Sequence, residues 1–274
     1  MTQIPTLPAS DVPTVDTHAH AYTLSMPLAP GAWHAPQTEA TVEQYLDALD
    51  QHGLRFGVLS AASLFGTNNS YSLDACRRHS RLRTTVILDP DCSAADMRAM
   101  ADAGVVGVRF QWRFVKEPPD LRSAPYRAFL RRMADLGWHV QLHDDSFRLP
   151  AYLDALEESG VKVVVDHYGR PDGRLGTACP GFQRVLQSVQ TGRTWVKLSS
   201  FFRLQSPELA VQAAQALLQH AGPERLMWGS DWPFNAFESR MTYQRALDQF
   251  ALDVPDPAAR RRIGSETPLQ FYFG

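Results

Sequence analysis

Short β-branched and apolar runs recur along the chain, and each is followed by a longer stretch in which apolar positions repeat every three or four residues. The short runs predict strands over 14–20 (TVDTHAH), 55–63 (RFGVLSAAS), 83–90 (RTTVILDP), 105–112 (VVGVRFQW), 139–144 (HVQLHD), 161–169 (VKVVVDHYG), 194–200 (TWVKLSS) and 225–233 (RLMWGSDWP). The longer stretches predict helices over 41–52, 70–80, 93–103, 123–136, 150–159, 181–191, 207–220 and 238–250. Ser93 and the Ser206-Pro207-Glu208 triplet are helix-start signals, because a serine hydroxyl caps free amides and proline suits the first turn. Gly53, Gly104, Gly137, Gly160 and Gly222 close helical runs.

Strand then helix, eight times over 274 residues, predicts a single-domain α/β protein, a (β/α)8 TIM barrel spanning 1–274. The competing architecture is an open doubly wound sheet. That fold would place a glycine-rich phosphate loop after the first strand, and DTHAHAYTL holds no glycine. The first dozen residues and the loop 21–38 are the extended irregular stretches.

Composition narrows the partners. The chain carries 27 basic and 29 acidic residues, a formal charge of −2, with no basic run, so neither nucleic acid nor an anionic membrane is expected as a partner. The N-terminus is broken by prolines and polar residues where a signal peptide needs an apolar core, and no stretch matches a membrane span. Cys76, Cys92 and Cys179 are odd in number and scattered, which reads as reduced thiols in a cytoplasmic protein. Oligomeric state leaves no trace in the sequence.

The polar residues fall at one end of the strands. Strand 1 ends in Asp16, His18 and His20, and strand 2 in Ser60 and Ser63. Strand 4 carries Arg109, Gln111 and Arg113; strand 5 ends in His143, Asp144 and Asp145. Strand 6 ends in Asp166 and His167 with Arg170 beyond, strand 7 in Lys197, Ser199 and Ser200 with Arg203 beyond, and strand 8 in Ser230 and Asp231. Active sites of barrels lie at this C-terminal end. Four of the nine histidines sit there. Side chains alternate along a strand, so His18 and His20 share a face, and burying two imidazoles against the helix layer would be costly; the barrel mouth is expected.

Together DTHAH, HVQLHDD, VVDHYGRPD and WGSDWP resemble the amidohydrolase superfamily, and within it the branch of 2-pyrone-4,6-dicarboxylate lactonase and related lactonases. The resemblance extends to LFGTNN (64–69), GVVGVRFQW (104–112) and the closing ETPLQFYFG. It implies a hydrolase that opens a small carboxylated lactone in aromatic-compound or sugar-acid catabolism. Asp231 would be the base acting on water, with His18, His20 and His167 polarising the carbonyl or holding a metal. Arg109, Arg203 and Arg170 would hold substrate carboxylates, with Ser63 also in contact. Arginine suits that task because its planar fork binds a carboxylate through two hydrogen bonds. Arg109 could instead form a structural ion pair with Asp144 or Asp166, and Arg203 could be a surface residue. Loops 21–38 and 113–123 are expected over the site, with Trp33, Trp112, Phe114 and Phe202 as candidate lining.

The resemblance leaves two cofactor readings open. The metal-free lactonase resembled here carries tyrosine where this chain has His143, whereas metal-dependent members carry a histidine ligand on that strand. One reading therefore needs no cofactor, with His143 touching substrate. The other places one divalent ion, Zn or Mn, on His18, His20, His143 and Asp231, in a metal-dependent amidohydrolase or decarboxylase. Such an ion lowers the pKa of its water from 15.7 to about 7.

Overall fold

The structure is a computed structural model and describes residues 12–274. The expected irregular segment at the extreme N-terminus lies outside the described residues, apart from its last position. Eight strands run β1 Val15–Ala19, β2 Phe56–Leu59, β3 Leu82–Val86, β4 Val105–Gln111, β5 His139–His143, β6 Lys162–Val165, β7 Thr194–Ser199 and β8 Leu226–Gly229. They form one parallel sheet in chain order, β1 to β8. The main helices are α1 Val42–Gln51, α2 Ser70–Arg78, α3 Ala94–Asp102, α4 Ala124–Asp135, α5 Leu149–Ser159, α6 Pro180–Gln190, α7 Pro207–Ala221 and α8 Tyr243–Asp253. Two short helices follow, α9 Pro257–Arg261 and α10 Thr267–Tyr272. This is the expected (β/α)8 barrel.

The seam between β1 and β8 is drawn together largely by groups outside a regular ladder. Asp231 N donates to His18 O at 2.7 Å and His20 N to Trp232 O at 2.7 Å. The Thr17 hydroxyl donates to Trp228 O at 2.7 Å, and Ser230 N donates to the Asp16 carboxylate at 2.9 Å. Gly229 is needed there for its missing side chain: an added Cβ would stand 2.6 Å from His18 Cβ and 2.8 Å from His18 N.

The strands separate two apolar regions. Between sheet and helices lies the main core, including Leu49, Leu82, Phe129, Leu153, Phe182 and Trp228, all fully or nearly fully buried. Within the barrel, at the end away from the strand C-termini, Val15, Val58, Val164 and Met227 meet Tyr272 of α10, so the C-terminal segment stoppers that end. Cys76, Cys92 and Cys179 are unpaired, and no helix among the described residues is long and apolar enough to cross a membrane.

Some boundaries differ from expectation. The strand expected over 161–169 stops at Val165, and His167–Gly169 form a tight turn. The strand expected over 55–63 stops at Leu59, with Ser63 opening a separate 3-10 turn. Helix α8 begins at Tyr243, not 238, because the Thr242 side chain caps it by accepting from Arg245 N.

Candidate active site

A register shift between Asp16 and Ala19 splits the polar residues of β1. Asp16 accepts from Tyr243 of α8 at 2.9 Å and so turns toward the helix layer. His18 and His20 turn to the barrel interior, as the shared-face argument expects. Their rings meet edge to face 5.0 Å apart, and His18 lies 4.8 Å from the His167 ring.

Asp166 is the hub beneath the pocket. It receives Arg109 Nε and Nη2 at 3.2 and 3.0 Å, Gln141 Nε2 at 2.9 and 3.0 Å, and faces His18 Nδ1 at 3.2 Å. Burial opposes its ionisation, but His18 and the Arg109 guanidinium outweigh that and hold the carboxyl well below the usual range. Of the two roles open to Arg109, the ion pair is thus present, with Asp166 and not Asp144 as partner. Asp144 instead serves Arg148 and Tyr152. Arg109 also borders the pocket.

Asp231 occupies a left-handed backbone position, φ 64°. One oxygen, Oδ2, accepts from Ser200 and from Arg203 Nε at 2.7 Å. The other, Oδ1, faces His20 Nε2 at 3.3 Å and His18 Nε2 at 3.6 Å. Burial raises the Asp231 pKa, yet Arg203, the His20 hydrogen bond and His167 prevail, so it stays well below the carboxylate norm. Arg203 is therefore neither a surface residue nor free, because it buttresses the proposed base and donates to Asn235 O at 3.0 Å.

The tautomers follow from the partners. His20 Nδ1 lies 2.7 Å from the Ser60 carbonyl, which only accepts, so the proton is on Nδ1. His18 Nδ1 faces the Asp166 carboxylate, and its Nε2 is buried with no hydrogen-bond partner. Burial pushes His18 down to about 3, against the pull of Asp166, so the ring is neutral. His18 Nε2, with no partner of its own, and His20 Nε2 thus both face Asp231 Oδ1, and a water hydrogen or a cation at that point would satisfy the orphaned nitrogen.

His18, His20 and Asp231 gather closely enough to hold one metal ion, and so do His18, Asp166 and His167. His143 joins neither group among the described residues. Its Nδ1 lies 3.5 Å from Arg109 Nη2 and its ring packs on His167 at 4.6 Å. Burial holds both His143 and His167 well below the usual imidazole range.

Above this floor opens a pocket of about 340 Å³. One wall is guanidinium: Arg109, Arg113, Arg170 and Arg203. Asp145 Oδ1 accepts from Arg113 Nε at 2.9 Å and Arg170 Nε at 3.0 Å, setting two forks side by side. Another wall is apolar, with Leu64, Phe237 and a Trp33–Phe114 stack at 5.3 Å; Ser63 lies beside it. Both expected loops thus contribute, through Trp33, Arg113 and Phe114. Trp112 and Phe202 line nothing here: Trp112 stacks on Phe110 at 4.5 Å and Phe202 packs on Phe237 at 5.0 Å. Arg113 is two positions beyond Gln111 and four beyond Arg109, a period-two signal that points to its role. Gln141, in mid-strand, and Phe237, in a loop, leave no such signal.

Residues 15–274 match the model of a family described as Amidohydrolase. The chain is 28% identical to a 4-sulfomuconolactone hydrolase of Hydrogenophaga intermedia, covering 94% of this chain and 88% of the relative. It is 28% identical to a 2-pyrone-4,6-dicarboxylate hydrolase of Comamonas testosteroni, covering 94% and 90%. An Acinetobacter baumannii crystal structure, described as a candidate 2-pyrone-4,6-dicarboxylic acid hydrolase with citric acid bound, superposes with TM-score 0.92 at 32% identity over 95% of this chain and 99% of that one.

Proposed function

The chain belongs to the amidohydrolase family, and from that premise we propose that it is a hydrolase opening a small carboxylated lactone of the 2-pyrone-4,6-dicarboxylate type. The observation that carries this reading is the pairing of a four-arginine wall with a floor where His18 and His20 meet Asp231 Oδ1. Relatives named as a 4-sulfomuconolactone hydrolase and a 2-pyrone-4,6-dicarboxylate hydrolase support it.

In this mechanism Arg113 and Arg170, set side by side by Asp145, take a substrate carboxylate, with Arg109 and His143 at the edge of the same wall. A water donates one hydrogen to Asp231 Oδ1 and the other to an imidazole Nε2, which leaves its lone pairs aimed at the lactone carbonyl carbon. Asp231 accepts the proton as the C–O bond forms. We assign His18 to holding that water through its unpartnered Nε2, with His20 hydrogen-bonded to Asp231 beside it. With the Ser199 hydroxyl, 2.9 Å away, as the donor to His167 Nδ1, the ring carries its proton on Nε2, and we assign that Nε2–H to the carbonyl oxygen, where it stabilises the charge that develops. The ring C–O bond breaks and the leaving oxygen collects the proton.

The orphaned His18 Nε2, gathered with His20 and Asp231, also fits a single divalent ion such as Zn or Mn, held by those three residues. When bound, it would activate water and polarise a carbonyl. That observation favours a second reading, a metal-dependent amidohydrolase or decarboxylase. The test is elemental analysis of purified protein with a lactone panel run with and without chelator. Hydrolysis of carboxylated lactones, and poor turnover of their uncharged esters, supports the main reading. A stoichiometric ion with chelator-sensitive turnover of other substrates supports the second, and no turnover of any lactone overturns the first.

A further inference from the structure

Four consecutive residues, His167, Tyr168, Gly169 and Arg170, have φ of 54°, 58°, 70° and 46°. Three of them carry side chains, and L-residues avoid this left-handed region because Cβ crowds the carbonyl oxygen. The turn must therefore be imposed by its surroundings. Its own backbone bonds, Gly169 N to Asp166 O at 3.0 Å and Arg170 N to His167 O at 2.9 Å, shape it only locally. The two residues at its ends point into the pocket; between them, Tyr168 points the other way and is 2% exposed.

The Tyr168 hydroxyl donates to Asp253 Oδ2 at 2.5 Å, across 85 positions of sequence. Asp253 closes α8, is fully buried, and among the described residues receives one other side-chain bond, from Gln249 Nε2 at 2.8 Å. A carboxylate is costly at such a site, and burial lifts Asp253 to about 7 against the pull of Tyr168 and Gln249. A polar pair of this kind is retained in an apolar layer at a cost in stability, which points to a role in fixing one backbone arrangement.

We propose that Tyr168 and Asp253 are positioning residues whose bond bolts the left-handed turn to the helix layer and thereby aims His167 and Arg170 into the pocket. The kinetic part of this inference rests on the lactonase reading above; the geometric part does not. Tyr168 is the side chain of the turn that reaches α8, while His167 and Arg170 are tied to Ser199 and Asp145 within the site.

The experiment compares Tyr168→Phe, Asp253→Leu and Asp253→Asn with wild type, by amide hydrogen exchange over 166–170 and by steady-state kinetics. Tyr168→Phe and Asp253→Leu are expected to speed exchange in that segment at least about tenfold over the rest of the barrel, and to lower kcat about 10- to 100-fold, as small misplacements of catalytic groups do. Asp253→Asn keeps an oxygen for the phenol and is expected to restore both readouts to near wild type. Wild-type exchange and kinetics in Tyr168→Phe, or a uniform rise in exchange with kcat and KM unchanged, would overturn the proposal. If wild type turns over no lactone, the functional reading has failed, and the exchange comparison alone decides whether the bolt exists.

Discussion

Replacing Gly229 by alanine probes how far the barrel seam sets the site. The added methyl would lie 2.6 Å from His18 Cβ and 2.8 Å from His18 N, both parts of β1 that no rotamer change can move aside. Comfortable carbon contacts begin near 3.5 Å, so β1 and β8 must part by about 1 Å. The seam bonds Asp231 N to His18 O and Ser230 N to Asp16 stretch with them. Overpacking of this sort costs about 1–3 kcal/mol, a fall in melting temperature of roughly 2–10 °C for a chain of this size. The larger effect is expected on chemistry: His18 Nε2, now 3.6 Å from Asp231 Oδ1, shifts by a comparable distance, and a 1 Å misplacement lowers turnover on the order of 100-fold. Calorimetry and kcat, measured at a temperature where the variant is folded, check both. A variant within twofold of wild-type kcat and within 1 °C in melting temperature would refute the claim that the β1–β8 approach positions the site.

Asp145→Ala releases the Arg113 and Arg170 forks while leaving Asp231 untouched. KM for a carboxylated lactone should rise about tenfold, a loss of roughly 1.4 kcal/mol in binding, with kcat within a few-fold; an unchanged KM would remove Asp145 from substrate binding. Asp253, pushed up to about 7 from 3.8, holds a proton in the folded chain that the unfolded chain has lost between those values. Its contribution is therefore greatest below pH 4 and declines as pH rises through 7, by roughly 4 kcal/mol in all. Denaturant unfolding should show Asp253→Asn gaining stability relative to wild type from pH 5 to pH 8, and a flat difference would contradict the buried-acid assignment.

The alternation of short and long hydrophobic periods carried the barrel, and the period of two within strands carried His18 and His20 to one face. Those are local signals, and they were legible. Pairings across long separations were legible only in part. Asp166, 57 positions from Arg109, was one of two partners the sequence left open for it, whereas the reach of Arg203 to Asp231 across 28 positions left no signal and emerges only once the strands are assembled. The strand expected through Gly169 failed for a similar reason: DHYG follows directly on a β-branched run, and the left-handed turn it forms is tied to Asp253 in another helix. Trp112 and Phe202 were misplaced because aromatic character alone does not tell a pocket wall from the side chains packed behind it. The position after Gln111 on a strand faces away from the pocket, and Trp112 follows that rule. The His143 question also needed the fold, since only packing shows that it meets Arg109 and His167 instead of joining His18, His20 and Asp231.

The central claim is that Asp231 takes the proton of the attacking water. Asp231→Asn keeps the size of the side chain and an acceptor for Ser200 and Arg203 but removes the base, so kcat on the best carboxylated lactone should fall at least about 1,000-fold, with KM within a few-fold. Retention of wild-type kcat by a folded Asp231→Asn enzyme would contradict the account.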